Sequence, residues 1–256
     1  LELAAAWALA GEAPPEIDAV ALARLCQRAE NEYVGVACGL MDQFASSVGG
    51  AAGALVLDCR SLEHRSVRLP PDCLLVVCHT GSERRLDASA YNQRRMECQR
   101  AVSLIARRYP RVRSLRDVDG AMLASVGGEL DAVALRRAEH VVTENQRVLA
   151  TETALGAGDL SAVGRLWAES HASLRELYEV SSAELDALVD IATATPGVVA
   201  ARLTGAGFGG CTVNLVRRTA VARLRAAIAH EYPRRTGRNP RIWEVEPVAG
   251  AGVVPG

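Results

Sequence analysis

One carboxylate stands out in the stretch GVACGLMDQFASSVGG, residues 35–50: Asp42, delivered by a glycine-flanked turn into a run of apolar and small residues. A carboxylate so placed can be a catalytic acid–base group. It can equally serve as a first-turn acid of a short MDQFASS helix, stabilising it through the macrodipole. A second candidate is GAGFGG, which satisfies G-x-G-x-x-G through Gly205, Gly207 and Gly210 after a strand-like run. A dinucleotide-binding loop of that pattern must open a helix whose N-terminus holds the pyrophosphate, whereas the CTVNLV that follows is β-branched and strand-like. The dinucleotide reading is therefore excluded. Four glycines in six residues keep two explanations, a tight hairpin with a bulge or a backbone that approaches a ligand. His79 and His171 read as hydrogen-bonded packing residues, and Cys38 and Cys211 as small buried ones with no thiolate-activating pair nearby.

Helices interrupted by short strands must position these groups. The opening LELAAAWALAG reads as a helix, and PPEIDAVALARLCQRAENEYVG as a second one with apolar positions at Ile17, Val20, Ala21 and Leu25, stopping near Gly35. After the MDQFASS helix, ALVLDCRSLEHRSVRLP alternates like a strand hairpin and CLLVVCHTG reads as a buried strand. A long helix spans Ala88 to about Tyr109 and stops at Pro110. Beyond a loop come LRRAEHVVTENQRVLATETALGAG and DLSAVGRLWAESHASLRELYEV, the latter with Asp159 as N-cap, and Ser181 with Glu184 forms a capping box ahead of Leu185, Leu188 and Val189. The last section is strand, glycine loop, strand, helix over 219–232, strand. An α+β fold with helices packed on one side of a mainly antiparallel sheet is expected, with a boundary near Leu69-Pro70-Pro71 that separates residues 1–70 from 71–256.

Composition bounds the function. In 256 residues, 49% hydrophobic, a sizeable core can form. Lys and Arg number 29 against 30 Asp and Glu, so no global field attracts nucleic acid or an acidic membrane. The pairs Arg84-Arg85, Arg94-Arg95, Arg107-Arg108 and Arg234-Arg235 read as solvated faces. Seven cysteines without a CxxC pair or zinc spacing point to reduced thiols in a cytoplasmic protein, and no metal site is expected from the residues present. No apolar run approaches the roughly 18 residues of a membrane span.

Three stretches occur together: CGLMDQF with the following GALVLDCRSLEHRSVRLP, ESHASLRELYEVSSAELD, and RLTGAGFGGCTVNLV. This combination resembles the galactokinases, a branch of the small-molecule kinases that include homoserine, mevalonate and phosphomevalonate kinases. DASAYNQRRMEC and AEHVVTEN fall in the right order between them, and the likeness runs from Leu1 to about Gly252. The resemblance implies a two-domain sugar-kinase architecture that phosphorylates the anomeric hydroxyl of galactose from ATP. Asp42 is then the catalytic carboxylate, Gly39 a place where the backbone approaches the sugar, and Tyr91 a tyrosine whose hydroxyl meets it. Gly205 and Gly207 support the nucleotide-phosphate region, and Ala206 stands where many members have glycine. Phosphoryl transfer needs the nucleophile held in line with the γ-phosphate, and an anomeric hydroxyl is acidic enough for a carboxylate to suffice.

In the family, an arginine that partners the aspartate, most sugar-holding groups and a phosphate loop that helps place Mg²⁺ lie upstream of the segment matching Leu1. The chain opens without an N-cap, so it reads as a galactokinase lacking its natural N-terminus and inactive by itself, with ATP and Mg²⁺ bound mainly by residues outside it. The expected protein is a monomer with galactose and ATP as partners. Alternatives are a kinase of arabinose, galacturonate or N-acetylgalactosamine, and a galactose- and ATP-sensing regulator without turnover.

Overall fold

The computed structural model describes residues 18–35, 37–51, 53–82 and 88–251. The helix expected over residues 1–11, and Ile17 of the second, lie outside the described residues. Two compact units form: the residues up to Ser66 together with those from Pro247 onward, and Val67–Glu246.

In the smaller unit, helix α1 (Ala19–Ala29) starts where the Asp18 carboxylate accepts the Ala21 N–H, 2.8 Å. It runs into a π turn, Glu30–Val34, and stops at Gly35 with φ +79°. The expected stripe is displaced: Ala23 is fully buried and Val20 partly, while Ala21 and Leu25 face solvent. Helix α2 (Met41–Val48) ends at the glycine pair as its sequence requires. Its last carbonyls are met by the chain's return, Gly250 donating to Gly49 O and Ala251 to Ser46 O at 2.6 and 2.7 Å. Leu40 and Phe44 are its anchors, packed with Val48 and with Leu55 and Leu57 of strand β1 (Ala54–Leu57), which pairs with β2 (His64–Val67).

The larger unit is built on an antiparallel sheet. Its strands β3 (Cys73–His79), β4 (Val198–Thr204), β5 (Cys211–Arg217) and β6 (Arg241–Val245) lie in the order β4-β5-β3-β6. Around them run α3 (Ala88–Arg108), α4 (Gly120–Val126), α5 (Ala132–Ala157), α6 (Leu160–Glu176), α7 (Ala183–Ala194) and α8 (Val221–Thr236). Helices cover both faces of the sheet, not one. Leu74, Val76 and Val216 pack with Leu188 and Ile191 of α7 and Leu224 and Ile228 of α8, whereas Cys73, Ala200 and Leu215 pack with Ala154 of α5 and Val163 of α6. The continuous apolar run of β3 is the mark of a strand buried on both sides. Each Val, Leu or Ile among them contributes about 1.5–3 kcal/mol when fully buried. A third cluster joins α3, α4 and the N-terminal half of α5 through Ala101, Ile105, Leu123 and Ala138.

Local signals mostly hold. The Asp159 carboxylate accepts from Ala162 N–H at the start of α6, and α5 stops at Gly158, φ +72°. The cap of α7 is Ser182 rather than Ser181: its hydroxyl accepts the Leu185 N–H, while Ser181 donates to Asp186. The segment read as loop before α5 contains α4, capped by Asp119. Among the described residues no helix is long and apolar enough to cross a membrane.

Candidate functional site

In the smaller unit, burial of Leu40 and Phe44 fixes how α2 is rolled. Asp42, midway between them in the sequence, is thereby turned to solvent in the first turn. The helix N-cap is Leu40, without a side-chain cap, so Asp42 is not a capping residue. Among the described residues its carboxylate carries no hydrogen bond or ion pair. The strand of chain before it is stitched to the π turn. Gln43 Nε2 donates to Glu30 Oε1 at 2.7 Å, Cys38 Sγ to Glu30 Oε2 at 3.3 Å, and Gln27 Nε2 to the Cys38 carbonyl at 3.3 Å. Burial, then Glu30, pushes the Cys38 thiol up, which leaves it a packing group, half-buried rather than buried. Gly39 has no left-handed φ, and a Cβ there would meet nothing within 4 Å. Nothing in the local fold demands glycine at that position.

In the larger unit, Tyr91 is half-buried on the first turn of α3. The glycine loop joins β4 to β5, with Gly205, Gly207, Gly209 and Gly210 all at positive φ. A Cβ on Gly207 would collide with the Val180 carbonyl, which accepts the Phe208 N–H at 2.6 Å. Gly210 O accepts the Thr80 N–H at 2.9 Å. The loop is therefore a tight hairpin end pressed against the turn after α6, and its glycines are required by that geometry.

Arginines that the sequence hides as surface charge organise this corner. Arg94, one turn beyond Tyr91, has a side chain only 13% exposed, contrary to a solvated face. Its Nε donates to Tyr178 O at 2.6 Å, an Nη donates to Glu179 O at 3.0 Å, and its guanidinium lies 5.9 Å from the centre of the Phe208 ring. Behind it the buried Arg137 donates to Glu97, Glu179 and the Leu177 carbonyl. Burial alone would raise the Glu97 carboxyl, but the hydrogen bond and charge of Arg137 hold it below the usual range. Tyr178 stacks on His140, 4.4 Å between ring centres, and burial, with Cys98 and Tyr91 adding, pushes its phenol up. Tyr91 and the glycine loop are thus brought to the same corner of one unit. Asp42 and Gly39 sit together in the other.

His171 accepts the Leu203 N–H and lies 3.2 Å from Asp186, a packing role as expected. Of the seven cysteines, none of which forms a disulfide among the described residues, Cys73 and Cys78 are buried and Cys26 and Cys59 are exposed. A recess of about 340 Å³ beside Tyr109, Pro110 and Met122 contains none of the candidate residues. Among the described residues no three His, Cys, Asp or Glu side chains gather to hold a metal ion.

Two sequence models match the chain: the N-terminal domain of the GHMP kinases over residues 1–50 and their C-terminal region over 151–234, together more than half of it. The chain belongs to the GHMP kinase family. Asp42 and Gly39 fall within the first match and Gly205 and Gly207 within the second, while Tyr91 falls between them. A protein of Roseiflexus sp. named galactokinase is 49% identical over 91% of this chain. One of Chloroflexus aurantiacus with the same name is 47% identical over 91%. The chain spans about 60% of the length of these relatives. The crystal structure of Lactococcus lactis galactokinase complexed with galactose superposes with a TM-score of 0.87 at 34% identity, over 92% of this chain and 61% of that one. A homoserine kinase from Cytophaga hutchinsonii, TM-score 0.56 at 12% identity, shares the fold.

Proposed function

We propose that the protein containing this chain transfers the γ-phosphoryl group of ATP to the anomeric hydroxyl of galactose, giving galactose 1-phosphate. The observation that carries this reading is the superposition on a galactokinase complexed with galactose, joined to 41–49% identity with proteins named galactokinase. A solvent-facing Asp42 without a partner among the described residues supports a carboxylate available to a ligand. In this role Asp42 accepts or orients the proton of the hydroxyl as the bond to phosphorus forms. Gly39, which the fold itself does not require, admits the sugar close to the backbone, and Tyr91 offers its phenol to a sugar hydroxyl. Gly205 and Gly207 support the nucleotide-phosphate region. Mg²⁺ belongs to the proposal as the partner of ATP, held mainly by groups upstream of this chain. A cytoplasmic monomer acting on small molecules, with no nucleic-acid or membrane partner, completes it.

The test is turnover of galactose, arabinose and N-acetylgalactosamine by the full product of the native gene, wild type beside Asp42→Asn. Selective phosphorylation of galactose, lost in the variant, is the expected result. Galactose binding without turnover in the wild type would replace the reading with that of a sensor.

A further inference from the structure

We infer that Arg94 is a positioning residue, a clamp that sets the conformation of the 205–210 loop and couples it to the helix carrying Tyr91. Among the described residues of the larger unit, two other than glycine are held at left-handed φ, Glu179 at 55° and Phe208 at 58°. Such conformations persist where the surroundings over-determine them. Both are gripped by the same side chain. The guanidinium of Arg94 bonds the carbonyls of Tyr178 and Glu179 and lies by the ring of Phe208, while Phe208 N–H closes the circle on Val180 O. Glu97, 3.3 Å from Arg94, holds the fork in its plane and is itself tied to Arg137. The clamp therefore joins three segments far apart in sequence, the first turns of α3, the turn after α6 and the glycine loop. A planar fork spreads five donors over three nitrogens and can serve two carbonyls and a carboxylate set apart from one another, whereas an ammonium holds its three donors on a single atom.

The inference rests on the kinase reading only for what the loop does; the clamp itself is a matter of geometry. On that reading, loosening the loop weakens the nucleotide side of the reaction and leaves the sugar side as it is.

Hydrogen exchange on the 256-residue chain tests the clamp without any activity. In Arg94→Ala the Phe208 and Tyr178 amides should exchange about ten- to a hundredfold faster, the scale of losing hydrogen bonds to a charged group. Amides of β3 and β5 should keep their rates, and Arg94→Lys should fall between. Equal acceleration everywhere, or none at Phe208, overturns the clamp. If Arg94→Ala does not fold, Phe208→Leu serves: it removes the ring but leaves the carbonyl bonds, so residue 208 should speed up while Tyr178 does not, and an unchanged residue 208 overturns the clamp. In the full gene product, Arg94→Lys should raise KM for ATP several-fold with KM for galactose unchanged. A rise confined to galactose would overturn the loop's assignment, and absence of turnover in the wild type would refute the kinase reading while the exchange result still decides the clamp.

Discussion

Acidification from pH 7 to 4 should cost the larger unit about 3 kcal/mol through one side chain, His140. Its ring is 5% exposed, stacked on Tyr178, with Nδ1 2.8 Å from the Ser173 hydroxyl. Burial lowers its pKa from 6.5 to about 4, and of the charges around it Glu144 opposes the shift while Arg147, Arg202 and Arg137 add to it. The unfolded chain takes up the proton near 6.5 and the folded one only near 4, so between those values the unfolded state holds more protons and stability falls with pH. The contribution is intact above pH 6.5. At about 1.4 kcal/mol per unit, it is reduced by about 2 kcal/mol at pH 5 and about 3 at pH 4. Urea titrations of the wild type and of His140→Gln at pH 7, 6 and 5 would isolate it, because Glu97, Glu144 and Glu179, all held below 4.5, stay ionised over that range. His171, also lowered by burial, acts equally in both proteins. The variant should show the shallower dependence, its midpoint falling less from pH 7 to 5. Parallel curves would refute the burial argument.

Arg137→Met should destabilise the larger unit by about 3 kcal/mol, read in thermal melts, because it leaves Glu97 and the Leu177 carbonyl without the buried guanidinium. Gly207→Ala combines a φ of +80° with a collision on Val180 O and should cost about 2 kcal/mol or more, whereas Gly39→Ala should change the melting temperature by less than a degree or two. If Gly39 admits the sugar, the same Gly39→Ala variant of the full gene product loses galactose affinity, measured by calorimetry, despite its unchanged stability. Deleting residues 247–256 strips the Gly250 and Ala251 donors from the end of α2 and should raise amide exchange throughout that helix.

What the sequence disclosed depended on how local the cause was. Asp159 and Gly158 announce the start of one helix and the end of another because caps are made within three residues. The pair Ser181-Ser182 shows the limit: either serine fits a capping pattern, and only the backbone selects the second. Helix α4, seven residues long, is too short for a period to emerge, although Asp119 before it was a usable signal. Helices on both faces of the sheet could have been inferred from CLLVVC, whose unbroken apolar run leaves no face for water. At the candidate site, Asp42, Gly39 and the glycine loop were visible as motifs. Arg94 was not, since the carbonyls it bonds lie more than eighty residues away and nothing in Arg94-Arg95 separates a buried guanidinium from an exposed one.

The return of the segment from Pro247 to the smaller unit also orders events during synthesis. Val67–Glu246 is one uninterrupted stretch, so all of its contacts are available once Glu246 has cleared the ribosome. In the smaller unit α2 is made well before the donors for its terminal carbonyls, Gly250 and Ala251, which follow on the far side of the larger unit. The end of that helix stays open until those residues emerge, so the unit bearing Asp42 closes after Val67–Glu246 is made rather than before it.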